Sequence, residues 1–282
     1  MRRALAIAWM GCWAIACMPP DWGAEAILRP PRRALDRAPD VPYEDVAFTA
    51  SDGAVLRGWL FRATGVRRRL LVYLHGIGDN RQGGLGIARR FGPRGWDVLA
   101  YDARAHGASG GTACTYGVLE TADLLKAIDS VSADRVVLFG CSLGAAVALQ
   151  AAPLDSRIRG VIAQSSFSSL AEIARDRAPW FATAREVDRA LKIAGEKGGF
   201  DPAAASPVAA AAGIRVPVLL IHGRDDRETR PDHSRRIEAA LAAPKRMIVV
   251  AGAGHDDTLR GDSVWTEVEG FLAAHDLGRS GG

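Results

Sequence analysis

Three polar residues far apart in this 282-residue chain have the types that acyl transfer needs: Ser142, Asp226 and His255. Ser142 is the centre of Gly140-Cys141-Ser142-Leu143-Gly144, preceded by Val136-Val137-Leu138-Phe139 and followed by a small-residue run over 145–152. The β-branched and aromatic run suits a buried strand and the alanine-rich run a helix, so the serine falls on a tight turn between them. Such an elbow exposes the serine hydroxyl, and the two glycines let strand and helix approach where a Cβ would clash. Five residues of Gly-x-Ser-x-Gly carry little weight in a chain with 31 glycines, where a glycine-rich turn after a core strand is the plainer reading. The strand before and the helix after make Ser142 a candidate nucleophile.

A nucleophilic serine needs a base, an acid that orients it and donors for the developing oxyanion. The apolar run over 216–221 leads into His222-Gly223-Arg224-Asp225-Asp226, and the run ending at Val250 leads into Gly252-Ala253-Gly254-His255-Asp256. Acid and base candidates therefore stand at successive strand ends after the serine, with either Asp225 or Asp226 available as the acid. Residues 70–74 lead into His75-Gly76-Ile77-Gly78, so the backbone amides of Ile77 and Leu143 are the expected oxyanion donors. His75 reads as structural, because the chain turns away there.

The elements that must position these groups alternate. Residues 46–49 and 55–61, joined around Asp52-Gly53, predict an antiparallel hairpin. Further strands are expected at 70–74, 97–101, 136–139, 161–163, 216–221 and 247–250. Helices are expected over 80–90, through Val118, Ala122 and Leu125, through Ile237 and Leu241, and through Val264, Val268, Phe271 and Leu272. Near-continuous apolar strands separated by helices imply an α/β protein with a mostly parallel sheet covered on both faces. Residues 168–213 break the alternation: Leu170, Ile173 and Ala174, then Val187, Ala190 and Leu191, mark two helical faces with Trp180 and Phe181 between them. Two helices inserted over the carboxyl edge of the sheet make a small cap that shapes an apolar pocket.

Taken together, Leu74-His75-Gly76, the run Tyr101-Asp102-Ala103-Arg104-Ala105-His106-Gly107-Ala108-Ser109-Gly110, Gly140-Cys141-Ser142-Leu143-Gly144, the strand running into His222-Gly223 with Asp226, and Gly254-His255 resemble the α/β-hydrolase superfamily. The resemblance is to its capped branch of serine-aminopeptidase-like and monoacylglycerol-lipase-like hydrolases, and it extends over 43–275. It implies an α/β-hydrolase fold with about eight strands and a helical cap, a Ser142–Asp226–His255 triad with Asp226 preferred to Asp225, and no cofactor. Asp102 and His106 are expected to hold their loop. Ala105 stands where the family often has glycine, an exchange expected to cost little. His233 and His275 are expected on helix surfaces. The implied activity is hydrolysis of a carboxylic ester or thioester through an acyl-enzyme; a serine aminopeptidase or amidase, and a catalytically silent binding protein on the same fold, are the competing readings.

Composition narrows the partners. With 48% hydrophobic and 24% charged residues the chain is globular rather than disordered, and a net charge of +4 spread over scattered arginines gives no nucleic-acid footprint. The consecutive Arg67, Arg68 and Arg69 read as a solvated turn. A small-molecule acyl ester or amide is the expected partner. No metal site is expected, since neither His-Glu-x-x-His nor Cys-x-x-Cys occurs.

The amino-terminus reads as a leader, with Arg2 and Arg3 followed by an apolar run over 4–16 that is too short to span a bilayer. A signal peptide over 1–26, cut at Ala24-Glu25-Ala26, implies export to the periplasm or medium; a lipid tether on Cys17 and an uncleaved membrane anchor are the competing outcomes. Residues 27–42 read as a proline-rich linker, structure starts at Tyr43, and 43–282 form the catalytic domain. Cys114 and Cys141, the cysteines left outside the leader, are expected as free thiols.

Overall fold

The computed structural model describes residues 21–63 and 69–277. The leader readings at residues 1–20, Cys12 and Cys17 among them, and Arg67 and Arg68 lie outside the described residues. Eight apolar runs form strands: β1 (Glu44–Thr49), β2 (Val55–Phe61), β3 (Arg69–Leu74), β4 (Asp97–Tyr101), β5 (Arg135–Cys141), β6 (Ile158–Gln164), β7 (Val218–Gly223) and β8 (Lys245–Val250). They make one sheet ordered β1-β2-β4-β3-β5-β6-β7-β8. The β1–β2 hairpin turns at Asp52-Gly53 and β2 joins β4 antiparallel; every later pairing is parallel. β3 has β4 on one side and β5 on the other, so connections leave it in opposite directions. The crevice at the carboxyl ends of β3 and β5 is where such sheets hold ligands.

Side chains alternate across β3, Leu70, Val72 and Leu74 facing one buried cluster and Leu71 and Tyr73 the other. Helices α2 (Leu85–Phe91) and α9 (Asp262–Ala274) cover the second face. The first face carries α3 (Glu120–Val131), α4 (Leu143–Ala151) and α8 (Asp232–Ala240). All nine residues of α4 are buried; a helix enclosed on every side has no use for a polar stripe. The inward face of α3 is Leu124, Ala127 and Ile128, whereas Ala122, expected to face inward, is exposed. The helix starts at Glu120, whose carboxylate accepts from the Thr115 and Gly117 amides.

Residues 168–213 form the cap as α5 (Leu170–Arg177), α6 (Ala184–Gly198) and α7 (Pro207–Ala211). Thr183 and Glu186 close a reciprocal capping box at the start of α6, satisfying its first amides. The chain is ordered well before Tyr43: α1 (Trp22–Leu28) spans the cleavage boundary expected at Ala26 and buries Ala24 and Leu28 against the cap side of the core. Residues 29–42 are likewise no free spacer, for Arg32, Arg33 and Ala34 are hydrogen-bonded to residues 80–111.

The loop after β4 is held by buried charge. Asp102 pairs with Arg81 at 2.7 Å and accepts from the Ala108 amide, and Arg104 grips Asp123 through two bonds of 2.6 and 2.8 Å. Asp102 and His106 serve this loop; His106 Nδ1–H donates to the Arg104 carbonyl, and burial with His75 nearby pushes its pKa down to about 4. Ala105 sits in the same loop with φ of 59°, the left-handed region where a Cβ crowds the following carbonyl. Ala105→Gly is therefore expected to stabilise the fold by about 1 kcal/mol, the steric relief exceeding glycine's chain entropy. Urea unfolding checks this, and a variant less stable than the parent contradicts it.

Candidate active site

Ser142 is the residue at which β5 turns into α4, with φ of 50° and ψ of −110°. The turn is tight because a Cβ on Gly140 would lie 2.3 Å from the Gly144 carbonyl oxygen, and one on Gly144 would lie 2.1 Å from that of Leu74. The Ser142 amide donates to the Gln164 carbonyl at 2.8 Å, which ties the elbow to the end of β6. Leu143 is the first residue of α4, so its N–H has no intrahelical acceptor. The loop after β3 comes up beside it: a Cβ on Gly76 would lie 3.5 Å from Ser142 Cβ, and Ile77, Ser142 and Leu143 line one cavity. His75 braces that loop, its Nδ1–H donating to the Gly76 carbonyl at 2.7 Å while Nε2 accepts from the Ala103 amide. An imidazole occupied at both nitrogens is not a base for Ser142.

Burial chooses between the two aspartates. Asp225 is exposed, whereas Asp226 is 3% exposed and lies 2.7 Å from His255 Nδ1 through Oδ2. Its Oδ1 accepts from the Glu228 and Thr229 amides at 2.9 Å each. His222, fully buried, contributes a second imidazole: Nε2 lies 2.7 Å from the Thr229 carbonyl and 3.2 Å from Asp226 Oδ2, and Nδ1 lies 2.7 Å from Ser234 Oγ. A carbonyl only accepts, so His222 Nε2 carries the proton and Nδ1 accepts from Ser234. Burial by itself raises the pKa of Asp226, but the hydrogen bonds from His222, His255 and the Thr229 amide outweigh it and hold the carboxyl well below the usual carboxylate range. An ionised Asp226 accepts the Nδ1 proton of His255, which leaves Nε2 as the free basic nitrogen.

The base loop is fixed from β6. Gln164 Nε2 and Ser165 Oγ donate to the His255 carbonyl at 3.4 and 3.2 Å, so one strand end holds both the serine elbow and the histidine loop. The polar Gln164 closing the buried run over 160–163 was the sequence signal for this. Neither Gln164 nor His222 was named as a site residue from the sequence: Gln164 acts through the backbone of His255, distant in the chain, and His222 through Asp226, nearby in the chain but brought against it only by the folding of the loop.

Above Ser142 lies a cavity of about 610 Å³ between the sheet edge, the cap and α1. Phe181 lines it, whereas Trp180, its expected partner in the pocket, is 93% exposed. The cap is moored by a residue expected on the surface. His233 is fully buried, its Nδ1 2.6 Å from Ser168 Oγ and its Nε2 3.1 Å from Asp176. These contacts tie α8 to the cap, and they are why a helix-borne histidine points inward. His275 caps α9 at an intermediate depth. Cys114 and Cys141 are free thiols, with burial pushing Cys141 up to about 12.

Comparison with known proteins agrees with this architecture. Residues 69–198 match the family model described as the alpha/beta hydrolase fold. The chain is 30% identical over 224 residues to the uncharacterised protein YfhR of Escherichia coli (strain K12), covering 76% of this chain and 74% of that one. It is 26% identical over 285 residues to a polyketide transferase of Aspergillus fumigatus, covering 82% and 96% of the two chains. Among solved structures, a Pyrococcus furiosus esterase superposes with a TM-score of 0.72 at 23% identity, over 88% of this chain and 98% of that one. A Pyrococcus horikoshii acylaminoacyl peptidase superposes with a TM-score of 0.63 at 16% identity, over 83% and 42%.

The polar shell around Asp226 has a pH signature. Because its folded pKa is depressed, the stability it contributes is fully present above the unfolded carboxylate value of about 3.9 and is lost as pH falls toward the folded value. The stability difference between the parent and Asp226→Asn is expected to stay constant from pH 7 to about 5 and to shrink below about pH 4. Denaturant melts of both proteins across that range measure it; a gap that widens in acid contradicts the assignment.

Proposed function

Since the chain belongs to the α/β-hydrolase family, we propose that it is a serine hydrolase cleaving a carboxylic ester or thioester through Ser142, His255 and Asp226. The observation that carries this is the 2.7 Å bond from His255 to a buried, ionised Asp226, on the same sheet edge as a serine elbow that opens into a cavity. In the first step Ser142 Oγ bonds to the carbonyl carbon while its proton passes to His255 Nε2. The negative oxygen of the tetrahedral intermediate is received by the amides of Leu143 and Ile77. The intermediate collapses by breaking the bond to the alcohol or thiol, which leaves with the proton from His255. Water, deprotonated by the same imidazole, then attacks the acyl-enzyme, releasing the acid and restoring Ser142.

Ester chemistry is favoured over aminopeptidase chemistry by the cavity wall. Recognition of a free amine needs an unoccupied carboxylate, and among the described residues Glu186 is the carboxylate of the lining. Glu186 is spent on the Thr183 amide and hydroxyl, both at 2.7 Å. The parent is expected to hydrolyse a p-nitrophenyl ester with higher kcat/KM than the matched aminoacyl p-nitroanilide. Ser142→Ala is expected to lower kcat for the ester by about four orders of magnitude without loss of fold. Retention of parental activity by Ser142→Ala would overturn the assignment; a preference for the anilide would move the activity to the amidase class.

A further inference from the structure

The cavity over Ser142 has walls of two origins. One is the cap, through residues such as Leu170, Ile173 and Val187. The other is α1, which precedes the catalytic domain in the chain and presents Trp22, Gly23, Ala26 and Ile27 along one face. Spacings of three and four residues place these side chains on a single stripe, while Ala24 and Leu28 on the opposite side enter the core. The helix is bound in place by specific contacts. Lys197 of α6 pairs with Asp21 and Glu25, Tyr116 donates to the Ile27 carbonyl at 3.0 Å, and the Cys114 amide donates to the Leu28 carbonyl at 2.9 Å. A Cβ on Gly23 would lie 3.0 Å from that of Ala190, so the glycine allows α1 and α6 to touch.

Past α1 the same segment crosses the loop that carries Ile77. Asn80 donates to the carbonyls of Arg33 and Ala34 at 3.2 and 3.1 Å, Gln82 Oε1 accepts from the Asp36 amide at 2.7 Å, and Pro31 abuts Gly78. Residues 21–37 thus both wall the cavity and steady one side of the oxyanion loop.

We propose that this amino-terminal strap is a specificity-determining part of the active site: α1 is the surface along which the hydrocarbon of a linear fatty acyl ester lies, and the working enzyme keeps it. The inference rests on the serine-hydrolase reading above. Among the described residues the lining has two charged side chains, Arg177 and Glu186. Arg177 is engaged with the Glu228 carbonyl and Thr229 Oγ1, and Glu186 with Thr183. A polar acyl group finds no open partner there, whereas each methylene buried against such a wall is worth about a fourfold gain in binding. Cleavage after Ala26 would strip Trp22, Gly23 and Ala26 from the wall, so the mature chain begins at or before Asp21.

The test is kcat/KM over p-nitrophenyl esters from acetate to palmitate, for the parent and Ala26→Phe, with Ala26→Leu as a smaller filler at the same exposed position should the first fold poorly. The parent is expected to prefer the longer chains. In the filled variants the ratio of kcat/KM on laurate to that on acetate is expected to fall about tenfold or more relative to the parent. Intact-mass measurement of the protein from its own cells is expected to place its start at or before Asp21. A variant that scales all esters equally, or none, overturns the proposal, as does a mature chain starting at Ile27. Failure of the hydrolase reading looks different: the parent turns over no ester and matches Ser142→Ala, and both proposals fall.

Discussion

Ser142 is held at φ 50° and ψ −110°, a backbone state that costs a non-glycine residue about 1–3 kcal/mol and persists only where its surroundings over-determine it. Here they do. The Gly144 position leaves no room for a side chain against the Leu74 carbonyl, α4 is buried along its whole length, and the Ser142 amide is bonded to β6. From this one strained residue follow the exposure of the hydroxyl, the free amide at the head of α4, and the approach of the loop after β3. Relaxing the turn would move all three together.

The remaining groups are arranged so that little has to move when charge appears. Asp226 is ionised among donors rather than among apolar groups, so in the proposed mechanism an imidazolium on His255 would form against a partner already negative. His222 and the Glu228 and Thr229 amides keep the carboxylate from rotating, while Gln164 and Ser165 hold the His255 backbone. These contacts come from the carboxyl ends of β6 and β7 and the loops that follow them. The cap hangs on the outside, moored through His233 and through Arg177, which bonds the loop carrying Asp226.

How much of this could be read from the chain follows from how local each signal is. The Val136-to-Gly144 elbow, the hairpin around Asp52-Gly53 and the strand end at Val250 are written in adjacent residues and appear where they were expected, whereas β7 runs over Val218–Gly223, two residues later than the expected 216–221. Asp226 was preferred to Asp225 through the family resemblance; the physical difference between them is burial, which alternation at a loop does not give. Ala122 falls in the expected helical run but on the exposed side of α3, whose inward face is supplied by Leu124, Ala127 and Ile128. His233 was placed outside because its partners, Ser168 and Asp176, lie more than fifty residues away. The basic and apolar character of residues 2–16 suggested a leader, and the prolines of residues 19–42 a spacer. The role of residues 21–37 is decided by contacts with α6 and with Asn80, which no local pattern encodes.

The account depends most directly on a covalent bond to one oxygen. A fluorophosphonate allowed to react with the purified full chain, followed by peptide mapping, reads it out. One adduct per chain, carried on Ser142 and absent from the His255→Ala protein under the same conditions, is the predicted result. An unmodified Ser142, or a label on another residue, would contradict it.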